Sequence, residues 1–290
     1  MEKRLGYLLL LPAVITILII AIYPIVHVLI LSLYERFLTL DINNFIGFGN
    51  FQKLIEDSRF WGAFLNTAIF TSATVMLELI LGMAIALFIN RPFSAQGFIR
   101  AAVLLPWAIP TVVSAKIWGW IFNTDLGILN YALISFGIID ADLNWLGNPG
   151  LAMTSAIIVD VWKTTPFAAL LLLAGLQVIP DELYKAASVD GATSTQKFWH
   201  ITLPHLKPVI LIVLLFRTLD AFRVFDAIYI LTGGGPANST ETLSIYAYKI
   251  LFQTLDFGYG STIAVSIFFF ILIISAVYIV VMKRRGGLLS

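Results

Sequence analysis

The segment 208–231 is apolar except for ionisable residues that alternate in sign at steps of three: Arg217, Asp220, Arg223 and Asp226. Residues three apart are neighbours on a helix, so each charge can pair with the next. Because about 3.6 residues complete a turn, successive steps drift around the helix, and one face cannot hold all four. Two interpretations stay open. Arg217, Asp220 and Arg223 form a polar wall that contacts a solute's hydroxyl groups, or they form a structural ladder, the role that we favour for Asp226.

Four other ionisable residues interrupt apolar stretches: Glu78, Lys116, Asp160 and Lys163. Each alone would cost about 2.5–3.5 kcal/mol at the centre of a membrane helix, so they should face the interior of a bundle or a cavity. The i, i+3 spacing of Asp160 and Lys163 predicts a structural pair, whereas the partners of Glu78 and Lys116 cannot be assigned from the sequence. We assign all four a structural role and add Tyr229 to the solute-contacting group.

The sequence offers no set of residues for covalent or metal chemistry. It contains no cysteine, which excludes disulfides, thiolate metal sites and cysteine nucleophiles. His200 and His205 are five residues apart, which is not the i, i+4 spacing of a helical metal site. The glycine run 233–235 lacks the Gly-Lys-Ser/Thr of a phosphate-binding loop, so it is interpreted as a turn. We therefore expect no catalytic residue, metal or bound cofactor.

The segment 180–208 is too long and too patterned for a simple connection between helices. Acidic residues follow Pro180, as at a helix start, and Gly191 can take the left-handed conformation that ends a helix. Thr193 and Gln196 have the spacing of a capping box for a second short helix, which Pro204 would end. The pattern predicts two short helices on the inner side, either resting on lipid headgroups or docking a soluble protein.

This segment resembles the signature loop of permease subunits of binding-protein-dependent ATP-binding-cassette (ABC) importers. That loop reads Glu-Ala-Ala, three residues, Gly, nine residues, Ile-x-Leu-Pro, and this chain has matching residues at 185–187, 191 and 201–204, except that Lys185 replaces the usual Glu. The resemblance implies that the loop 180–207 is cytoplasmic and couples the chain to an ATPase. The coupling residues that it implies are Tyr184, Lys185, Ala186, Ala187, Asp190, Gly191, Phe198, Ile201, Leu203 and Pro204.

Other motifs resemble the carbohydrate-uptake branch of these importers. They are Leu-Pro-Trp at 105–107, Asp-Val-Trp-Lys at 160–163 and Leu-Thr-Gly-Gly-Gly-Pro at 231–236. The last is similar to the first of the two paired permeases of maltose and glycerol-phosphate systems. The resemblance implies an ATP-driven sugar importer with a second permease, an ATPase dimer that binds ATP and Mg, and an extracytoplasmic sugar-binding protein. It implies no particular sugar.

The elements that must position these residues are membrane helices. The chain is 59% hydrophobic and 12% charged, against about 45–50% and about 25% in soluble domains, which excludes a soluble globule and disorder. The net charge of +1 gives no reason to expect a nucleic-acid partner. Six apolar stretches are long enough to cross a bilayer: 5–33, 60–89, 101–122, 151–179, 208–231 and 259–282.

With the N-terminus inside, ten Lys and Arg residues fall in inner segments and four in outer loops. The positive-inside rule therefore places both termini in the cytoplasm. We predict an all-α, multi-pass protein of the prokaryotic plasma membrane with one permease domain, 1–290, and a short re-entrant or interfacial helix within 126–139. The alternative function is an ion-coupled secondary carrier in which the intramembrane charges relay protons. Such a carrier would need no ATPase and would show inverted repeats, which we do not see in the sequence.

Overall fold

The computed structural model describes residues 2–92 and 94–284. Arg285, one of the ten inner charges of the orientation argument, lies outside the described residues. Within the described chain the structure is mostly helical, with fourteen α-helices, two π-helical turns and one small antiparallel hairpin. The hairpin corrects the all-α expectation, which otherwise holds for the elements that the structure describes.

One compact unit comprises Met1–Gly62 and Leu243–Phe270. Its elements in chain order are α1 (Glu2–Ile17), a π turn (Leu18–Ile22), α2 (Tyr23–Leu31), β1 (Tyr34–Phe37), β2 (Ile42–Phe45), α3 (Gly49–Glu56) and later α13 (Leu243–Phe252). Tyr34 pairs with Phe45 in the hairpin. The Asn50 amide donates to the carbonyls of Ser32 (3.1 Å) and Tyr34 (2.8 Å). This side chain thus satisfies backbone groups where α2 ends and the hairpin begins.

Two long helices cross the division between the compact units: α4 (Ser58–Ile89) and α14 (Phe257–Arg284). The remaining elements belong to the second unit: α5 (Gln96–Ala108), α6 (Thr111–Ile121), α7 (Ile128–Ser135), α8 (Pro149–Gln177), α9 (Asp181–Val189), α10 (Ser194–Lys197), a π turn (Phe198–Thr202), α11 (Leu203–Phe222) and α12 (Asp226–Leu231). The short helix α7 lies inside the predicted range 126–139.

The core of the second unit lies where α4, α8 and α11 pack together, around Ala86, Leu172 and Leu206. Small residues bring the backbones close. A Cβ placed on Gly82 would lie 3.0 Å from the Ala168 Cβ and 3.1 Å from the Ala169 nitrogen. Close approach at small residues is typical of helix contacts in membrane proteins. It brings the ionisable residues of these three helices within reach of one another.

Five helical stretches of the described chain are long and apolar enough to cross a membrane, and the helix pair α5 and α6 adds a sixth if it counts as one span. This pair is bent by 91°. The bend follows from Pro110, because the residue before a proline avoids the helical region, and Ile109 is extended at φ −73° and ψ 132°. The predicted third span, 101–122, is therefore broken at its centre.

The predicted fifth span, 208–231, is wrong as a single helix. Helix α11 ends at Phe222, and α12 begins only at Asp226. The Val224 carbonyl, which lies in the break, accepts a hydrogen bond from the Thr242 hydroxyl (3.3 Å). A tertiary contact thus replaces a helical bond, and the four alternating charges do not share one helix.

The prediction that Pro204 ends the second loop helix is also wrong. The chain from Ser194 to Phe222 forms one helical stretch of 29 residues that passes through the π turn. Pro204 lies just after the π turn, at the second residue of α11, where the regular i→i−4 hydrogen-bond pattern is already interrupted and a missing N–H disturbs the helix least. The second loop helix therefore continues into the membrane-spanning helix.

Candidate functional site

Arg217 lies at the centre of a network of carboxylates in the second unit. Its Nε is 2.6 Å from Glu78 Oε2 and its Nη2 is 2.9 Å from Glu78 Oε1, which makes a two-pronged ion pair between α11 and α4. Its Nη1 is 2.7 Å from Asp220 Oδ2, and Nη2 is 3.5 Å from Asp160 Oδ2. The Thr164 hydroxyl donates to Glu78 Oε1 at 2.5 Å. The guanidinium thus joins three helices, α4, α8 and α11, through paired charges, the arrangement that buried charges require.

The solvent exposure of the side chains rises along this network from Glu78 to Arg223. Glu78 is fully buried and Arg217 is 4% exposed, whereas the side chains of Asp220 and Arg223 are 53% and 67% exposed. Arg223 Nη2 lies 3.3 Å from Asp220 Oδ1. The inner pair is inaccessible to a solute, and the outer pair is accessible.

The outer pair faces a cavity of about 420 Å³. Its lining combines polar residues with aromatic ones: Trp107, Thr111, Asp160, Lys163, Thr164, Arg217, Asp220, Arg223, Phe225 and Asp226, among others. Trp107 is 49% exposed, and its ring lies 6.0 Å from that of Phe167. Aromatic faces beside a few oriented polar groups are suited to a polyhydroxylated solute of small size.

The predicted solute-contacting residues are only partly brought together. Arg217, Asp220 and Arg223 line the cavity, with Arg217 almost wholly engaged by carboxylates. Tyr229 lies on α12 and stacks on Phe225, with ring centroids 5.1 Å apart. Asp226, assigned to a structural ladder, instead begins α12 and lines the cavity.

The other predicted structural charges have partners that the sequence did not indicate. Lys163 donates to the Ile109 carbonyl at 2.5 Å, at the bend between α5 and α6, and Asp160 contacts Arg217. The predicted Asp160–Lys163 pair is therefore not the main contact of either residue. Lys116 is exposed and lines a separate cavity of about 220 Å³ beside Trp120.

Sequence reasoning missed the aromatic and hydroxyl part of the cavity wall, namely Trp107, Thr111, Thr164 and Phe225. A signal existed for two of them. Trp107 belongs to the Leu-Pro-Trp motif, and Thr111 follows Pro110, whose ring forces the bend. No local signal pointed to Phe225, because the helix break that exposes it depends on a tertiary contact.

The segment after α8 has the predicted local geometry. Gly191 has a φ of +77°, and Thr193 and Gln196 form the capping box. The Tyr184 hydroxyl lies 2.9 Å from Thr202 Oγ1, and Lys197 Nζ donates to Ser188 Oγ at 2.7 Å. These bonds tie α9 to the helical stretch that begins at Ser194.

One face of this segment is packed and the other is open. Tyr184 and Ile201 pack against the core of α4, α8 and α11. The remaining predicted coupling residues are exposed or half-buried: Lys185, Ala186, Ala187, Asp190, Gly191, Phe198, Leu203 and Pro204. The segment 181–204 is thus anchored to the core on one face and accessible on the other.

A second polar cluster lies in the first unit. Asp57 Oδ2 accepts from the hydroxyls of Tyr246 (2.6 Å) and Tyr259 (2.5 Å), and Oδ1 accepts from the Arg59 amide (2.9 Å). Burial tends to raise the pKa of Asp57, but these hydrogen bonds outweigh it and hold the pKa below its usual value. The cluster joins the start of α4 to α13 and α14 and has a structural character.

Comparison with known proteins places the chain in a family. The sequence profile of the family described as "Binding-protein-dependent transport system inner membrane component" matches residues 78–285. The chain belongs to this family, and it is a multi-pass permease subunit of the inner membrane. The resemblance of its signature loop is thereby confirmed at the level of the family.

Named relatives cover nearly the whole chain. The trehalose/maltose transport permease MalF of Thermococcus litoralis is 42% identical, over 98% of this chain and 95% of its own. The sulfoquinovosyl glycerol transport permease SmoG of Agrobacterium fabrum is 39% identical, over 98% and 92%. A solved bacterial alginate ABC transporter, in complex with an alginate pentasaccharide-bound periplasmic protein, has a chain with a TM-score of 0.86 and 25% identity, covering 99% of this chain and 96% of that one.

Proposed function

We propose that this chain is the transmembrane subunit of an ATP-driven sugar importer and forms half of the translocation pathway with a second permease. One observation carries the proposal. The single helical stretch from Ser194 to Phe222 contains the second half of the coupling segment, residues 184–204, at one end and Arg217 and Asp220 of the cavity wall at the other. At about 1.5 Å per residue, Arg217 lies about 35 Å from Ser194 along this helix. A push on the coupling segment is therefore transmitted directly to the cavity.

The relatives support the proposed partners and a sugar as the substrate. Their names refer to trehalose, maltose and sulfoquinovosyl glycerol, and the alginate transporter was solved with a periplasmic binding protein. By analogy, a sugar-binding protein delivers substrate from outside, and a separate ATPase dimer binds ATP and Mg and hydrolyses the ATP. This chain needs no cofactor of its own. Closure of the ATPase dimer moves the loop 180–207, and the cavity alternates between the two sides of the membrane.

The topology that this mechanism needs is the predicted one. Six spans, with α5 and α6 counted as one broken span, leave both termini and the loop 180–207 in the cytoplasm. Both compact units then belong to one permease domain. The coupling residues of α9 and the following turn face the ATPase, and Lys185 takes the position usually held by a glutamate. In the cavity, we assign contact with the sugar to Asp220, Arg223 and Trp107, while Glu78 holds Arg217 in place.

Reconstitution of the complete transporter tests this function. The chain is co-expressed with its companion permease and ATPase, inserted into liposomes and supplied with the binding protein and a panel of radiolabelled sugars that includes trehalose and maltose. We expect copurification of the ATPase and uptake that requires internal ATP and is inhibited by vanadate.

Two outcomes would contradict the proposal. If no sugar of the panel enters although the complex hydrolyses ATP, the substrate class is wrong. If the purified chain alone transports in response to a membrane potential without ATP, the secondary-carrier alternative is right, and the intramembrane charges have a proton-relay role.

A further inference from the structure

We propose that Asp220 makes the cavity selective for uncharged sugars because it neutralises the two arginines of the cavity wall. The inference rests on the proposed function and adds the charge class of the substrate. The relatives' names do not agree on a substrate, so the class must be sought in the residues of this cavity.

Asp220 contacts both arginines, and its contact with Arg217 is the closer one. Its Oδ2 lies 2.7 Å from Nη1 of Arg217, and its Oδ1 lies 3.3 Å from Nη2 of Arg223. Each carboxylate oxygen thus contacts one guanidinium. Asp220 is the only residue of the described chain for which ion pairs to both arginines are found. It occupies the position at which a solute's own carboxylate or sulfonate would otherwise bind.

Two basic side chains of the cavity wall also have partners other than Asp220. Lys163 donates to the Ile109 carbonyl, and Arg217 is also held by Glu78 and Asp160. The ionisable residues that line the cavity are three bases (Lys163, Arg217 and Arg223) and three acids (Asp160, Asp220 and Asp226), with a formal net charge of zero. The wall is therefore strongly polar without a net positive field that would attract an anion.

A neutral sugar and an anionic one meet this wall differently. Hydroxyl groups donate to carboxylate oxygens and accept from guanidinium N–H groups, so a neutral sugar can bond to Asp220 and Arg223 without separating them. An anion either displaces Asp220 from an arginine or binds the other N–H groups of Arg223, and in both positions it lies beside the like charge of the Asp220 carboxylate. Charge-assisted bidentate binding to arginine is strong, but repulsion by the neighbouring carboxylate opposes it here.

The isosteric substitution Asp220→Asn should unmask the arginines. Arg223, whose side chain is 67% exposed, loses its carboxylate partner, and Nη1 of Arg217 is freed toward the cavity. We expect the ratio of affinities, anionic over neutral sugar, to rise by up to about fivefold, because a charge-assisted contact to a side chain so exposed contributes at most about 1 kcal/mol. The gained anion binding should weaken with added salt.

Equilibrium dialysis measures this ratio on the purified permease–ATPase complex without the binding protein, so that only the permease discriminates. The probes are radiolabelled trehalose or maltose, whichever is taken up faster, and the same disaccharide oxidised to a carboxylate at one C6. In the unaltered complex we expect the carboxylate to bind at least about tenfold more weakly than the neutral sugar. Equal binding of the two probes to the unaltered complex would overturn the inference.

A matched control separates local masking from total charge. Asp226→Asn removes the same charge from the same wall but leaves Asp220 between its arginines, so the ratio should change less than about twofold. An equal change in both variants, or no change in Asp220→Asn, would overturn the inference. Adding Arg223→Gln to Asp220→Asn should restore most of the preference for the neutral sugar, because Arg217 stays paired with Glu78 and Asp160. This double variant also identifies a fold defect in the single one, because a defect would not be reversed.

The two proposals fail separately. Absence of any ATP-dependent sugar uptake contradicts the proposed function. Normal uptake together with an unchanged affinity ratio contradicts only the masking role of Asp220.

Discussion

Replacing Arg217 with methionine removes the guanidinium that neutralises the carboxylates at the centre of α4, α8 and α11, while keeping an unbranched side chain of similar packing along its stem. Four contacts are lost: 2.6 and 2.9 Å to Glu78, 2.7 Å to Asp220 and 3.5 Å to Asp160. Glu78 is fully buried and Asp160 is 8% exposed, so water cannot replace the lost charge. Leaving a buried charge unpaired costs about 3–5 kcal/mol, on the order of 10 °C in apparent Tm.

The apparent Tm of the detergent-solubilised complex is measured from the fraction that remains intact in size-exclusion chromatography after heating to increasing temperatures. Arg223→Met is the matched control. It removes the same group from a side chain that is 67% exposed, and an ion pair so exposed contributes at most about 1 kcal/mol. Replacing both members of the inner pair, as in Glu78→Leu with Arg217→Met, leaves one buried carboxylate fewer and should be less destabilising than Arg217→Met alone. Equal Tm values for Arg217→Met and Arg223→Met would refute the reasoning.

Two further predictions concern other parts of the chain. Gly191 has a φ of +77°, and a Cβ placed on it would meet no other atom. In Gly191→Val the strain therefore comes from the backbone conformation alone and is about 1–2 kcal/mol. This variant should weaken ATPase copurification more than Gly191→Asn, because asparagine tolerates the left-handed conformation. Equal ATPase copurification by the two variants would count against a role of the Gly191 backbone conformation in docking. The pKa of Asp57 is lower in the folded protein than in the unfolded chain, where it is about 3.9. The ionised carboxylate therefore contributes fully to the free energy of unfolding above a pH of about 3.9, and this contribution is lost as the pH falls further. The Tm difference between the unaltered protein and Asp57→Asn should stay constant from pH 8 to about 5 and shrink below about 4, and a difference that grows with acidity would contradict this.

The coupling segment was predictable from the sequence because its geometry follows from local rules. A glycine at the end of α9 takes the left-handed conformation, and Thr193 and Gln196 cap the next helix through bonds that span three residues. Such preferences act between near neighbours and do not depend on the rest of the fold. The bend at Pro110 was predictable for the same reason.

The ion pairs were not predictable, because they join residues far apart in the chain. Glu78 and Arg217 are 139 positions apart, and nothing near either one distinguishes this pairing from others. The step-of-three rule found the Arg217–Asp220–Arg223 contacts but wrongly extended them to Asp226. The break before Asp226 contains neither proline nor glycine, and its free carbonyl is satisfied by Thr242, which comes 18 positions after Val224.

The two breaks in the long helices of the second unit open onto the same cavity. Ile109, at the first break, offers its carbonyl to Lys163, and the residues of the second break line the cavity wall beside Asp220. In hydrocarbon an unpaired backbone group costs several kilocalories per mole, so irregular backbone at membrane depth persists only where protein or water satisfies it. The breaks and the charges therefore depend on each other. The charges keep the cavity polar enough for irregular backbone, and the breaks let Trp107, Asp220 and Phe225 face one space that continuous helices would have divided.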